Sequence, residues 1–290
     1  MAGTGTGCDA GRAARHDSST RALLGDGVRL AEGGGKTERP AAVHHRDRWK
    51  GGDWGAIITD FMGVHAAPEL RGIHTNMAGA VPPDIDAGLF SGGPVPSGLS
   101  DDERRACEQL SFAYKKGASP ILAFAYQMGR RPQTLYGIAD SPVGLAAFLL
   151  DHDAASLAHI SELFVDGRPF GDLTRDDILD NITLTWLTNT AISSARLYWE
   201  NKGSFFSVKG VTVPAAVSVF PEEIYQPPRS WAERAYPRLV HYNKLDKGGH
   251  FAAWEQPQLL SEEVRAVSFA KTSSGCPTRS GASEIRRPRR

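Results

Sequence analysis

Two short segments of the chain carry residues that could do hydrolytic chemistry. The first is Gly-Gly-Asp-Trp-Gly at 51–55, where glycines flank a carboxylate, Asp53. This spacing fits a nucleophile elbow, the sharp strand-to-helix turn that pushes one side chain out over a sheet. An ordinary loop, in which Asp53 only caps the following helix, fits the same five residues equally well. The pattern alone does not decide between the two interpretations.

The second segment is Gly-Gly-His-Phe at 248–251, which places His250 in a loop between an expected strand and an expected helix. A histidine there can act as a general base because its pKa lies near neutrality. Phe-Pro-Glu-Glu at 220–223 supplies two carboxylates at the end of an earlier expected strand. The chain order Asp, Glu, His is therefore that of a nucleophile, an acid and a base.

Composition disfavours several classes of function. Among 290 residues, 33 basic and 33 acidic side chains cancel, so no global field would hold a nucleic acid or an anionic membrane. The cysteines Cys8, Cys107 and Cys276 have neither a metal-binding nor a disulfide spacing. The sequence has no secretory signal and no apolar run of the roughly 18 residues that a membrane span needs. We therefore expect a soluble, cytoplasmic protein that binds no nucleic acid and has no membrane span.

Hydrophobic periodicity predicts an α/β arrangement of strands and helices. The predicted strands are 70–77, 211–220 and 238–245, and the predicted helices are 56–64, 100–115, 140–152, 174–187 and 251–269. Serine or threonine followed by acidic residues marks the starts at 100 and 174, because a hydroxyl caps free N–H groups and negative charge suits that helix end. The proline-rich and glycine-rich residues 82–98 are predicted to be loop.

These elements divide the chain into a core and an insertion. Residues 51–80 and 205–272 are predicted to form an α/β core, and 81–204 a mostly helical lid. The glycine-rich residues 1–50 are too poor in apolar side chains to offset the entropy of ordering, so we expect a disordered leader. Residues 273–290 are expected to be a disordered basic tail.

Five blocks of the sequence together resemble the epoxide hydrolases of the microsomal-type branch of the α/β-hydrolase superfamily. They read Gly-Gly-Asp-Trp-Gly-Ala at 51–56, Asp-Ser-Pro-Val-Gly-Leu-Ala-Ala at 140–147, Thr-Ala-Ile-Ser-Ser-Ala-Arg-Leu-Tyr at 190–198, Phe-Pro-Glu-Glu at 220–223 and Gly-Gly-His-Phe-Ala-Ala at 248–253. The blocks stand in the family's order. The resemblance implies a partial α/β-hydrolase fold, with a mostly parallel sheet truncated at its N-terminal side and an inserted helical lid.

The resemblance also implies roles for individual residues. Asp53 would be the nucleophile that attacks an epoxide carbon and forms a covalent ester, which splits one difficult displacement into two easier steps. His250 would activate water to hydrolyse that ester, and Glu223, rather than its neighbour Glu222, would orient and stabilise the imidazolium. The backbone N–H of Trp54 would help to form the oxyanion hole. The product would be a vicinal diol, with no metal and no organic cofactor.

Two lid tyrosines protonate the ring oxygen in this family, and the resemblance identifies one of them directly as Tyr198. Counting back from the Arg-Pro-Gln-Thr-Leu stretch puts Phe124 at the expected position of the other. Tyr126 follows two residues later and is our prediction for the second donor, with Tyr114 and Tyr136 as alternatives. A missing donor would slow ring opening about 100-fold.

The upstream part of the chain departs from the family. Family members carry further strands and a His-Gly-Trp-Pro-type turn before the elbow, and residues 1–50 contain no such turn. Residues 44–50 are also too charged for the strand that should lead into the elbow. We therefore expect a chain that is truncated, frameshifted or mis-started relative to the family. Trp54 would be the retained oxyanion-hole donor, and ester hydrolysis would be slowed about 10²- to 10³-fold.

Three functions stay open at this point. The first is an epoxide hydrolase that uses water and a small-molecule epoxide. The second is a haloalkane dehalogenase-like hydrolase, which shares the aspartate nucleophile but is less favoured by Tyr198 and the Phe-Pro-Glu-Glu block. The third is an inactive hydrolase-fold fragment that serves as a binding or structural domain. The sequence leaves open which epoxide is preferred and whether the chain forms a homodimer.

Overall fold

The computed structural model describes residues 48–267, except 69, 92, 114–121, 152–153 and 202–204. The predicted basic tail lies outside the described residues, as does the predicted leader apart from its last three residues.

Four parallel strands form one sheet in the order β1-β2-β3-β4. They are β1 (Arg48–Gly51), β2 (Gly72–Thr75), β3 (Ala215–Val219) and β4 (Leu239–Lys244). Every neighbouring pair is parallel, and β2 and β3 are buried along their whole length, as central strands of a parallel sheet are. The segments that follow the strands therefore meet at one edge of the sheet. The sheet confirms the predicted α/β class.

Strand β1 corrects one expectation. The charged segment before the elbow argued against a strand, yet Arg48 pairs with Gly72 and Gly51 pairs with Thr75. Arg48 is exposed and Gly51 is buried, so burial increases along the strand toward its carboxyl end. The charges of this strand are accommodated in two ways, because Arg48 is exposed whereas Lys50 donates a hydrogen bond to the side chain of Asn76.

The α-helices of the described residues are α1 (Trp54–His65), α2 (Pro83–Phe90), α3 (Asp101–Ala113), α4 (Ala123–Arg130), α5 (Tyr136–Asp140), α6 (Pro142–Leu150), α7 (Ala154–Ser161), α8 (Arg175–Leu187), α9 (Ala191–Glu200), α10 (Arg229–Ala235), α11 (Ala252–Glu255) and α12 (Pro257–Ala266). A 3₁₀ turn, Pro132–Leu135, precedes α5, and a π turn, Glu162–Asp166, follows α7. Within the described part of the chain, none of these helices combines the length and apolar character that crossing a membrane requires.

The predicted helix starts at 100 and 174 are confirmed, whereas the loop predicted for 82–98 is wrong over α2. Thr174 accepts a hydrogen bond from the backbone N–H of Asp177, whose side chain accepts one from the N–H of Thr174. Helix α2 begins at Pro83, a position where the missing N–H costs nothing, and acidic residues occupy its first turn. The second proline of a Pro-Pro pair was therefore a helix start rather than a loop signal.

Two main clusters of buried side chains hold the helices in place. The larger cluster joins the sheet to α1, α2, α3 and α10, and its members include Ile57, Ile73, Ile85, Leu110, Val217 and Trp231. The second joins α4, α5, α6 and α9 through Met128, Leu135, Ile138, Leu145, Ala191 and Ala195. Helices α2 and α3 thus pack with the sheet although the predicted lid begins at residue 81. The division into core and lid stays a prediction.

Candidate active site

Asp53 lies in the turn between β1 and α1, with φ 48° and ψ −131°. Residues other than glycine rarely adopt this conformation, and such strain, which costs about 1–3 kcal/mol, is found mainly at functional sites. A Cβ on Gly51 would lie 2.0 Å from the carbonyl oxygen of Gly55, so the turn closes only with glycine there. The Asp53 carboxylate forms no cap on α1. The geometry therefore favours the elbow over the capping loop.

His250 and Glu223 lie beside the elbow, although they are far from it in sequence. Nε2 of His250 is 3.5 Å from Oδ1 of Asp53, and Nδ1 of the same ring is 2.6 Å from Oε1 of Glu223. Glu223 follows β3 and His250 follows β4, so parallel strands bring both to the sheet edge at which Asp53 stands. The three predicted side chains form one hydrogen-bonding series with the imidazole in the middle.

The structure distinguishes Glu223 from its neighbour. Glu223 is buried, with 5% of its surface exposed, and its carboxylate accepts hydrogen bonds from the backbone N–H of Ile224 at 2.8 Å and from Nδ2 of Asn76 at 3.1 Å. Glu222 is exposed, and its backbone N–H donates to the carbonyl oxygen of Gly248. Glu223 is thus the carboxylate that faces the imidazole.

Charges around the imidazole set its protonation. Burial alone would lower the pKa of His250, but the charge of Glu223 and hydrogen bonds to Asp53 and Glu223 outweigh that effect and raise the pKa well above its usual value. Burial and the negative charge of Asp53 also raise the pKa of Tyr198 well above its usual value. These shifts favour the imidazolium form of His250 and the protonated form of the Tyr198 phenol.

Tyr198 reaches the site from α9. Its ring meets Trp54 edge-on at a centroid distance of 5.2 Å, and Phe205 meets the same indole at 4.4 Å. Trp54 is the first residue of α1, so its backbone N–H belongs to the helix end whose N–H groups have no partner within the helix. An N–H in that position next to Asp53 can stabilise negative charge on an oxygen atom.

The structure brings Phe124, and not Tyr126, against Tyr198. The Phe124 ring meets Tyr198 edge-on at 5.8 Å, whereas the guanidinium of Arg130 lies over the Tyr126 ring at 5.2 Å. Residues two apart on a helix point in nearly opposite directions, which explains the difference between these neighbours on α4. Tyr136 is 66% exposed, and Tyr114 lies outside the described residues. The second donor predicted at Tyr126 stays untested, and the ring contact places position 124 rather than Tyr126 beside Tyr198.

Sequence reasoning missed two side chains behind the site, Asn76 and Lys50. Nζ of Lys50 donates to Oδ1 of Asn76 at 2.9 Å, and Nδ2 of Asn76 donates to Glu223. A polar residue directly after a buried strand was the available signal, because Asn76 follows β2 at the sheet edge where the other site residues lie. Nothing in the sequence alone connected Lys50 with Glu223.

Comparisons with known proteins find relatives for most of the chain. The chain is 40% identical over 218 residues to a Stigmatella aurantiaca protein named "Putative epoxide hydrolase", covering 74% of this chain and 45% of that one. It is 31% identical over 225 residues to epoxide hydrolase 1 of Oryctolagus cuniculus, covering 74% and 49%. A crystal structure of juvenile hormone epoxide hydrolase from Bombyx mori matches with a TM-score of 0.57 and 27% identity, covering 75% and 53%.

The chain spans about half the length of the curated relatives that it matches. No protein-family model matches the sequence. The matched sequences and the matched fold point to the same family. The chain is thus a member of the epoxide hydrolases and carries part of the α/β-hydrolase fold.

Proposed function

We propose that this chain opens a small-molecule epoxide with water to give a vicinal diol, through an ester on Asp53. The observation that carries the proposal is the series Asp53–His250–Glu223 at the sheet edge, with His250 within 3.5 Å of the first and 2.6 Å of the second carboxylate. The Asp53 carboxylate makes no cap hydrogen bond on α1 and its side chain is 24% exposed, so an electrophile can approach it.

The first step forms a bond between an Asp53 oxygen and an epoxide carbon. The carbon–oxygen bond of the ring breaks, and its electron pair moves to the ring oxygen. That oxygen takes the proton of Tyr198, whose raised pKa keeps the phenol protonated until the alkoxide forms. In the resulting ester, the attacking oxygen of Asp53 is bonded to the former epoxide carbon, and Asp53 no longer carries a negative charge.

The second step breaks the ester with water. Ester formation removes the charge of Asp53, which is one of the causes of the raised pKa of His250. The imidazolium can then return a proton to the Tyr198 phenolate and become the neutral base that activates water. Water attacks the Asp53 carbonyl carbon and gives a proton to His250, and the N–H of Trp54 stabilises the oxyanion. Collapse then breaks the bond between that carbon and the ester oxygen, which takes a proton and leaves as part of the diol, so that the carboxylate of Asp53 is restored.

A dehalogenase-like function would use the same nucleophile but releases a halide, which needs no proton. The protonated phenol of Tyr198 beside Asp53 therefore favours the epoxide, because an alkoxide leaving group needs an acid. The remaining alternative, an inactive domain, differs from the enzyme in its turnover alone.

The test is diol formation from styrene oxide by the folded chain, compared with Asp53→Ala. Glu223→Gln and Glu222→Gln are a matched pair, since one faces His250 and the other is exposed. We expect Glu223→Gln to lose at least about 100-fold in kcat and Glu222→Gln to stay within about twofold. Turnover equal to a buffer blank, or unchanged in Asp53→Ala, would remove the enzymatic function.

A further inference from the structure

We propose that Lys50 is a positioning residue of this site, which acts on Glu223 through the side-chain amide of Asn76. The inference rests on the proposed function, because it takes Glu223 as the group that orients His250. The ammonium of Lys50 donates to Oδ1 of Asn76 at 2.9 Å, and Nδ2 of Asn76 donates to Oε2 of Glu223 at 3.1 Å. The link runs from β1 across the ends of β2 and β3.

The chemistry of the three groups gives this link a direction. A lysine ammonium only donates hydrogen bonds, a carboxylate only accepts them, and an asparagine amide does one at each end. Lys50 therefore selects the orientation in which Oδ1 of Asn76 faces β1 and Nδ2 faces Glu223. Without a donor at position 50, the amide could turn over and present its oxygen to the carboxylate, which would repel it.

Packing holds Asn76 in the place where this selection matters. Asn76 is 1% exposed, and its backbone N–H lies 3.4 Å from the carbonyl oxygen of Gly51. A Cβ on Gly52 would stand 2.6 Å from Oδ1 of Asn76, so the second glycine of the pair makes room for the amide. Nδ2 also approaches the carbonyl oxygen of His250 at 3.5 Å. One amide thus touches the elbow, the acid and the histidine loop.

Lys50 also acts on Glu223 through its charge, in addition to orienting the amide of Asn76. Burial lowers the pKa of Lys50 to about 8, against the opposing effect of Glu223, so the side chain carries a positive charge at pH 7. His74 on β2 is a second titratable group that interacts with Lys50. A positive charge behind Glu223 reduces the negative potential that this carboxylate exerts on His250.

The charged groups around His250 determine in which direction the pKa of this histidine changes when Lys50 is removed. Asp53, Glu223 and Glu255 supply negative charge around the imidazole. Removing Lys50 takes away a positive charge near Glu223 and weakens the hydrogen bond that Asn76 donates to the same carboxylate. Both changes strengthen the interaction of Glu223 with the imidazolium of His250. Lys50→Met should therefore raise the pKa of His250.

The experiment compares Lys50→Met with Lys50→Gln, which keeps an N–H donor without the charge. The pKa of His250 is followed by NMR titration of histidine-labelled, folded protein, and His250→Gln identifies its resonance. In Lys50→Met we expect this pKa to rise by about 0.5–1 unit. In the same variant we expect kcat for styrene oxide to fall about 10-fold at constant KM, because one aligned hydrogen bond behind the base is lost. Lys50→Gln should recover most of kcat, because it keeps the N–H donor.

Each result decides the proposal. An unchanged pKa of His250 in Lys50→Met, or an equal loss of kcat in the Met and Gln variants, would overturn it. If the pKa of His250 rises in Lys50→Met but the wild-type chain turns over no epoxide, the positioning role stands and the proposed function is refuted. If Lys50→Met does not fold, Asn76→Asp replaces the amide donor by a carboxylate and should also raise the pKa of His250; an unchanged pKa there overturns the proposal as well.

Discussion

Asp60 on α1 is a carboxyl group that the fold buries almost completely, with 2% of its surface exposed. It accepts hydrogen bonds from the hydroxyl of Tyr236 at 3.0 and 3.1 Å, and that hydroxyl accepts one from the N–H of Gly79 at 3.0 Å. Burial raises the pKa of Asp60 from 3.8 to about 7, although Tyr236, Lys209 and Gly79 act in the opposite direction. The folded chain thus binds a proton at Asp60 that the unfolded chain releases.

This shift gives the free energy of unfolding a pH dependence opposite to that of a salt-bridged aspartate. Since the pKa is higher in the folded state, ionised Asp60 opposes folding. Its cost is absent below about pH 4, grows by up to about 1.4 kcal/mol per pH unit from about pH 4 to about pH 7, and is constant above. The interval between 3.8 and about 7 corresponds to at most about 4 kcal/mol.

Asp60→Asn should remove this cost, because asparagine stays neutral and its carbonyl can accept from Tyr236. We expect the variant to be more stable than wild type by up to about 4 kcal/mol at pH 8 and nearly equal to it at pH 4. Urea unfolding across this range measures the difference, in which the other titrating groups cancel. Asp84→Asn, an exposed aspartate on α2, is the matched control and should change little at any pH. A difference that does not vary with pH, or an Asp60→Asn variant less stable at pH 8, would refute the reasoning.

Three further predictions concern the site and its supports. Phe124→Tyr adds a hydroxyl next to the active-site phenol and should raise kcat/KM for styrene oxide about 10-fold, whereas Tyr126→Phe should leave it within about twofold; the reverse pattern would assign the second donor to Tyr126. Asp53→Asn removes one negative charge from the histidine and should lower the pKa of His250, as read by NMR titration; an unchanged pKa would contradict the contact. Thr174→Ala removes the cap of α8 and should cost about 1 kcal/mol in urea unfolding, and no loss would contradict the capping box.

The residues that local patterns could predict were those whose role is written into a short motif. The glycines around Asp53, the loop of His250 and the acid in Phe-Pro-Glu-Glu each combine a residue type with a turn, and turns are local. Their convergence followed from parallel strands, whose carboxyl ends share one edge. The cap at Thr174 was predictable for the same reason, because it involves residues three apart.

What the sequence did not reveal depends on contacts between distant segments. The link from Lys50 through Asn76 to Glu223 joins three parts of the chain, and no local pattern signals it. Strand β1 was missed because pairing with β2 outweighs the charge of its residues. Helix α2 was missed because Pro83 marks a loop and a helix start equally well.

The covalent step is the centre of the proposed function, and a single turnover in heavy-oxygen water tests it most directly. With enzyme in excess over styrene oxide, water attacks the ester carbonyl, so the label should enter the carboxylate of Asp53 and the first diol should carry no label. Mass spectrometry of the peptide that contains Asp53 and of the diol reads both. A labelled first diol together with an unlabelled Asp53 peptide would show that water attacks the epoxide directly and would contradict the account.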